Sequence, residues 1–422
     1  MPSRNWPDAT YEERWHYSLL EPYYSAITPE IAEVPRAEIR SEVVADASDA
    51  MAEIARFDAE MVTSHPNLIA ILLRCEAVAS SYIEYIRADA RDVALAELTG
   101  GATPSARKSR RQTTSAMAES DAARILLAAL SGGSATPPNH EYESARLIVD
   151  NARATQRALD LASDFDETSI IAVHETLLHD SRPEWTGHWR ETQVRIGGQS
   201  IRSAKFVPPH PELVAAAMSD FARFMQRIDL PTFEHAAIAH AQFETIHPFP
   251  DGNGRVGRAL VHALFKNQGL AREVVVPFSA GLLRDVDSYY LALDDYRHGN
   301  VETIIAVLSS ATFGGIGLSR ELVSDLSAVR GKWQETLKAR SDSSAWLLLD
   351  LVLAHPAIDV ALVQRELEVA FSNAEHAIGQ LVDAGVVEPV NEDRRNRRWI
   401  AHEVIAELDR FMERAKRSKF VG

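Results

Sequence analysis

The chain has 422 residues, 46% of them hydrophobic and 25% charged, with a formal net charge of −16. This is the composition of a globular chain with room for two or three domains, and its acidity excludes a general coat for nucleic acid, which needs a basic surface. One cysteine, Cys75, excludes a disulfide framework and fits a reducing compartment. With no histidine near it in sequence, it reads as a packed helix residue rather than a nucleophile.

The N-terminus, Met1 to Asp8, lacks the apolar stretch of a leader, and no run reaches the roughly 20 apolar residues of a membrane span. The expectation is a cytoplasmic protein with no membrane partner. Residues 1–35, with Pro2, Pro7, Pro22, Pro29 and Pro35, read as extended and irregular. Apolar residues then recur at helical spacing in 66–95, 117–130, 141–164, 168–178, 211–228 and 232–246. Two small-residue stretches, Thr99–Arg111 and Ser131–Pro138, read as solvated connectors. Residues 193–207 place two β-prone runs around Gly197-Gly198, a hairpin signal inside a helical chain. Helices resume over 256–335.

The last 80 or so residues change pattern. Trp346–Leu353, Val360–Val369 and Asn373–Ala384 read as helices, and Val386–Val390 and Arg397–Ile400 as strands joined by a polar turn. Ser372, with Glu375 three residues on, reads as a capping-box start. Three helices and a β-hairpin make a winged-helix pattern. The expected domains are a helical region over 1–140, a catalytic core over 141–335 and a winged helix over 341–415.

The chemistry is concentrated in His247-Pro-Phe-Pro-Asp-Gly-Asn-Gly-Arg-Val-Gly-Arg258. Gly252-x-Gly254-x-x-Gly257 matches a dinucleotide fingerprint, but a helical run precedes it where a strand is required. Asp251-x-Asn253 opens like a calcium loop, which Arg255, Val256 and His262 then break. What remains is a glycine-rich loop feeding a helix. Asn253 reads as its N-cap, and Gly252 and Gly254 permit close approach of a ligand to the backbone. The helix start suits a phosphate, and Arg255 and Arg258 in its first turn call for anions. His247 is the base of the loop that titrates near neutrality, and Asp251 is a hard oxygen ligand for Mg²⁺.

This string resembles the signature of the Fic family, His-x-Phe-x-(Asp/Glu)-Gly-Asn-Gly-Arg-x-x-Arg, at every defined position. His174–Leu178, Gly187–Glu191, Val194–Gly198 and Ser279–Tyr290 resemble the flanking core, so the likeness spans about 165–310. It implies a mainly α fold: a Fic-type helical core with a β-hairpin flap, followed by the winged helix. It implies a protein adenylyltransferase that moves AMP from ATP to a Ser, Thr or Tyr hydroxyl of a target protein and releases pyrophosphate. In that reading His247 takes the hydroxyl proton and Asp251 holds Mg²⁺. Gly252, Asn253, Gly254, Arg255 and Arg258 hold the phosphates, Arg258 nearest the γ-phosphate. Tyr289 or Tyr290 packs near the base. Ile196, Gly197 and Gly198 of the flap pair with an extended stretch of target.

Ser80-x-x-x-Glu84 resembles the family's inhibitory motif, in which Gly or Asn follows the glutamate; here Tyr85 follows. The resemblance implies that Glu84 pairs with Arg258 and withholds it from the γ-phosphate. The wing carries Arg394, Arg395, Arg397 and Arg398, yet residues 341–422 hold ten Lys or Arg against fourteen Asp or Glu. Ser372–Asp383 has no Lys or Arg, so a protein-contact role is favoured over sequence-specific DNA binding. A hydrolase removing AMP with a water oriented by Glu84, and a transcriptional regulator sensing nucleotide, are the alternatives. Homodimerisation is left open.

Overall fold

Val43, Ala47, Ala50, Ile54, Phe57 and Met61, three and four residues apart, give one buried stripe and wind Ser41–Ser64 into α1. The computed structural model describes residues 6–16, 21–100, 138–163, 165–390 and 396–417; the expected helix over 117–130, nearly all of both connectors, Arg394 and Arg395 lie outside these. The chain is mainly helical and divides into two compact units, one of 1–83, 150–319 and 413–422, the other of 84–149 and 320–412.

In the first unit the N-terminus is not irregular. Strands β1 (Thr10–His16) and β2 (Glu21–Ile27) form an antiparallel hairpin in register from Thr10↔Ile27 to His16↔Glu21. After α1 comes α2 (Ile69–Ile83), buried at eleven of its positions, Ser80 and Ser81 among them. The helix expected across 66–95 breaks after α2; the chain there passes into the second unit, where Tyr85 takes a left-handed backbone (φ 61°) and α3 (Ala90–Leu98) begins. Cys75 is buried, its thiol pushed up to about 12 by desolvation, as fits a packed residue rather than a nucleophile.

Next come α4 (Pro138–Asp160, in the first unit from Asp150), α5 (Glu167–Leu178), α6 (Pro211–Met225), α7 (Thr232–Ile246), α8 (Asn253–Asn267), α9 (Phe278–Leu282) and α10 (Val286–Arg297). Every residue of α7 from Phe233 to Ile246 is buried, so α7 is the central rod of this unit. Its alanines let α8 lie close alongside it. The loop between α7 and α8 carries the candidate site. Asp166 starts α5 by accepting the Ser169 N–H at 2.7 Å.

Helix α11 (Glu302–Thr336) is 35 residues long and contains an 18-residue window of mean hydropathy 1.3. By length and composition it would pass for a membrane span, contrary to the expectation that no such run exists; 56% of that window is buried, as in a core helix.

In the second unit, α12 (Ala345–Ala354), β3 (Ala357–Asp359), α13 (Val360–Leu367), α14 (Phe371–Asp383), β4 (Glu388–Pro389), β5 (Arg398–Ile400) and α15 (His402–Lys416, to Met412 in this unit) follow in order. The strands pair antiparallel in the order β3-β5-β4. Strand β3 was not expected; Ile358 pairs with Trp399 and brings an apolar residue under the sheet. The Ser372 capping box does not form: α14 begins two residues earlier than expected, after Ala370, with no side-chain cap. Ala94, Ala357, Ile400 and Ile405 form one apolar cluster here, with Leu95, Leu98 and Val390 against it.

Candidate active site

The loop's geometry starts at His247, which ends α7 with a left-handed backbone (φ 51°, ψ 60°), a conformation costing a non-glycine residue about 1–2 kcal/mol. Arg190 holds it there. Its Nε donates to the His247 carbonyl at 2.8 Å and its main-chain N–H to the Pro248 carbonyl at 2.9 Å. Its other guanidinium nitrogens donate to the carbonyls of Thr192 and Pro209. Arg190 is 2% exposed, and burial among these neutral partners pulls its pKa down to about 10.

Burial, and then the charges of Arg190 and Arg297, push the His247 imidazole down to about 3. Among the described residues its Nδ1 has no hydrogen-bond partner; it stands 3.8 Å from Glu244 Oε2, and the side chain is 19% exposed. The ring is therefore a neutral base with a limited opening to solvent.

Two residues shape the loop beyond it. His174 stacks flat on Phe249, ring centroids 3.6 Å apart, and its Nε2–H donates to the Asp251 carbonyl at 3.0 Å. Burial holds His174 down at about 4, so it too is neutral. Asn253 is not the N-cap expected. It is the first residue of α8, and its amide clamps Phe249, accepting from the Phe249 N–H at 2.9 Å and donating to its carbonyl at 2.8 Å. Gly252 is the cap, at φ 82°, and a Cβ there would lie 2.8 Å from Leu177 Cδ2; only glycine meets both demands. Asn253 thus acts on the loop through its side chain.

Arg255 is 2% exposed, yet of its guanidinium only Nη2 is engaged, with Asp251 at 3.2 Å; Nε and Nη1 have no partner among the described residues. A buried guanidinium so poorly paired is costly unless an anion completes it. Arg258, 1% exposed, is held differently: Nε donates to Ser80 Oγ and Nη2 to the Ser80 carbonyl, both at 2.9 Å. Ser80, expected to belong to an inhibitory motif, is thus in direct contact with the second motif arginine. Helix α2 is anchored nearby by Glu76, which accepts from the Ser279 N–H at 3.0 Å and from its hydroxyl, with His262 Nε2 at 3.2 Å. Glu84 follows α2 directly and is half-buried; Tyr85 is 53% exposed.

Tyr289 is core. It is 1% exposed and its hydroxyl is taken by His240 Nε2 at 2.8 Å. Tyr290 is 41% exposed and its hydroxyl reaches the Ile83 carbonyl at 3.4 Å. The loop expected as a hairpin flap does turn back on itself at Gly197 and Gly198 (φ 68° and 70°), but through a single bridge, Ile196↔Phe206, rather than two strands. The reason lies at the tip. Ser203 Oγ accepts the N–H groups of Gln199 and Ser200, closing a 3₁₀ turn in place of further rungs. Phe206 lies 3.8 Å under the guanidinium of Arg297, a residue that sequence reasoning passed over. Arg190 and His174 were quoted as part of a likeness but given no task; nothing local in sequence signals their long-range bonds.

Among the described residues no three His, Cys, Asp or Glu gather to hold a metal. Asp251 is a lone carboxylate, 55% exposed. That fits Mg²⁺, which commonly takes one or two carboxylates and completes its shell with water and substrate phosphates.

Residues 164–265 match the Fic/DOC family model. The chain is 32% identical over 146 residues to "Protein adenylyltransferase Fic" of Nematostella vectensis, covering 34% of this chain and 31% of that protein. It is 32% identical over 123 residues to "Protein adenylyltransferase fic-1" of Caenorhabditis elegans, covering 28% and 23%. It therefore spans about a third or less of the length of these relatives. Among solved structures, a Fic family protein from Desulfovibrio desulfuricans G20 superposes with a TM-score of 0.47 at 16% identity, over 89% of this chain and 98% of that one.

Proposed function

With a Fic/DOC-family domain over residues 164–265 as the premise, we propose that the protein is an adenylyltransferase: it transfers AMP from ATP to a Ser, Thr or Tyr hydroxyl of a target protein and releases pyrophosphate. The observation that carries this is the presence, in one loop and helix start, of a neutral, partly open His247 and of a buried Arg255 whose Nε and Nη1 have no partner among the described residues. A neutral base and a buried arginine flanking one glycine-rich loop suit attack by a hydroxyl on a phosphate. The His247 imidazole accepts the hydroxyl proton, the oxygen bonds to the α-phosphorus, and the bond to pyrophosphate breaks. Arg255, the helix start and Arg258 balance the charge that leaves. Asp251 would hold Mg²⁺, which neutralises phosphate charge when bound. Glu84 restrains the activity through Arg258.

The test is to incubate the Glu84→Gly protein in lysate with labelled ATP, UTP, GTP or CTP, with and without EDTA. Protein-bound label from ATP, abolished by EDTA, is expected. Label from another nucleotide alone would overturn the AMP assignment, and transfer unchanged by EDTA would remove Asp251 from its metal role.

The second unit's α12–α14 and its three-stranded sheet we read as a winged helix that contacts protein. Helix α14 has no Lys or Arg and exposes Phe371 at 55%; of the side chains that read bases in a groove, Arg, Lys, Asn and Gln, it carries only Asn373 and Gln380. A gel shift is expected to show only weak, salt-sensitive and sequence-indifferent DNA binding; tight binding to one sequence at physiological salt would overturn this.

A further inference from the structure

The N-terminal hairpin wears its aromatics on the outside. Cross-strand partners share a face, so Tyr11↔Ala26, Glu13↔Tyr24 and Trp15↔Pro22 lie together, and Arg14↔Tyr23 and Glu12↔Ser25 lie on the other. The second face is packed at Tyr23, 6% exposed, and Ser25, 0%, and the first is covered only at Ala26, 0%. On the first, Trp15 is 72%, Tyr24 63% and Tyr11 48% exposed. Between them sits Glu13, whose carboxylate accepts from the Tyr24 hydroxyl at 3.4 Å.

We propose that this face is a docking surface for an extended, Lys- or Arg-bearing segment of the protein to be modified. Aromatic faces and a carboxylate attract a cation together. The position supports the same occupant. The Ala26 N–H donates to the Val207 carbonyl at 2.9 Å, and the Tyr23 hydroxyl reaches Gln193 Oε1 at 3.5 Å. The hairpin therefore adjoins both ends of the Gly197-Gly198 loop and lengthens the surface assigned to the target. Other occupants fit less well. An anionic membrane leaflet is repelled by Glu13 and by a chain of net charge −16. A second copy related by a two-fold axis would bring like carboxylates together. The inference rests on the transferase reading only in naming the occupant a substrate.

Binding is measured without turnover, by fluorescence anisotropy on the full chain carrying His247→Ala. The probes are a Thr-centred peptide flanked by lysines and its counterpart flanked by glutamates. The lysine peptide is expected to bind, and both Trp15→Ala with Tyr24→Ala and Glu13→Lys are expected to weaken it about tenfold. Glu273→Lys, at another exposed glutamate, should leave it unchanged. Equal affinity in the hairpin variants would overturn the proposal. So would an equal loss in Glu273→Lys, which would mean bulk charge alone, or Trp15-dependent dimerisation in sedimentation, or Trp15-dependent binding to phosphatidylserine vesicles. Automodification with labelled ATP, in the Glu84→Gly background and with His247 intact, separates the two readings. Hairpin variants should retain it; its absence in every variant, with hairpin-dependent peptide binding intact, would sink the transferase and leave the surface standing.

Discussion

Replacing His247 with alanine should lower AMP transfer by about 10²–10⁴, the usual cost of losing a general base, while ATP binding stays close to its original strength. The split follows from the site's layout. The arginines and the helix start proposed to hold the phosphates lie beyond Gly252, and the loop before them is fixed by Asn253, His174 and Arg190, which the substitution leaves in place. Transfer by the purified variant, measured with labelled ATP next to an equilibrium binding titration, checks both halves. Undiminished transfer would remove His247 from the chemistry. A matching fall in ATP affinity would make its role structural.

The same residue sets the pH dependence. Burial first, and then Arg190 and Arg297, hold its free-enzyme pKa near 3. A lowered pKa means that the base is already deprotonated well below neutrality. The profile of kcat/KM, which reports the free enzyme, should therefore show no break near 6.5 from this histidine. An acid limb centred at 6–7, absent from an otherwise active His174 variant, would instead point to that second ring.

The sequence carried the motif loop almost whole, because its residue types are chemically uncommon together and lie within one loop and one helix turn. What it concealed was of two kinds. Helix α1 has a regular stripe from Val43 to Met61, but alanine supplies two of its six positions, and so small a side chain leaves a faint apolar signal. The hairpin β1–β2 inverts the usual alternation: it buries Ser25 and exposes Trp15, so a period-two pattern of apolar-in, polar-out was not there to be read. The second kind is distance. Arg190 works on Thr192, His247, Pro248 and Pro209, and Ser80 on Arg258, 178 positions away. Tyr85 shows why a departure from a motif needs a backbone to interpret it. Its ring is exposed, and what it shares with glycine or asparagine is the left-handed φ of 61°, which those residues reach most easily.

Glu84→Gly is expected to raise automodification or target labelling by an order of magnitude or more, the size of effect when a charge-assisted hydrogen bond of about 1.5–3 kcal/mol is released. The inhibitory reading assigns the Glu84 carboxylate to Arg258. Two features of the molecule favour it. Ser80, four residues before Glu84, already holds Arg258 with its hydroxyl and its carbonyl, so the end of α2 is a place where this arginine is kept from other partners. And α2 is itself pinned by Glu76 on Ser279, so it presents that end in a fixed position. On that reading, with Glu84 in place the γ-phosphate would lack its cation and the α-phosphate would sit poorly for in-line attack, and basal transfer should be low. Removing the carboxylate frees Arg258 only in part, because the Ser80 bonds persist; Ser80→Ala alone should therefore raise transfer less than Glu84→Gly, since the carboxylate supplies the charge. Arg258→Ala in the Glu84→Gly background should cancel the gain, because the group released would be missing. Initial rates with labelled ATP across the four proteins decide it. Wild type and Glu84→Gly labelling equally well would remove Glu84 from regulation, and a gain that survives Arg258→Ala would move its target to a different cation, while the assignment of His247 would stand in either case.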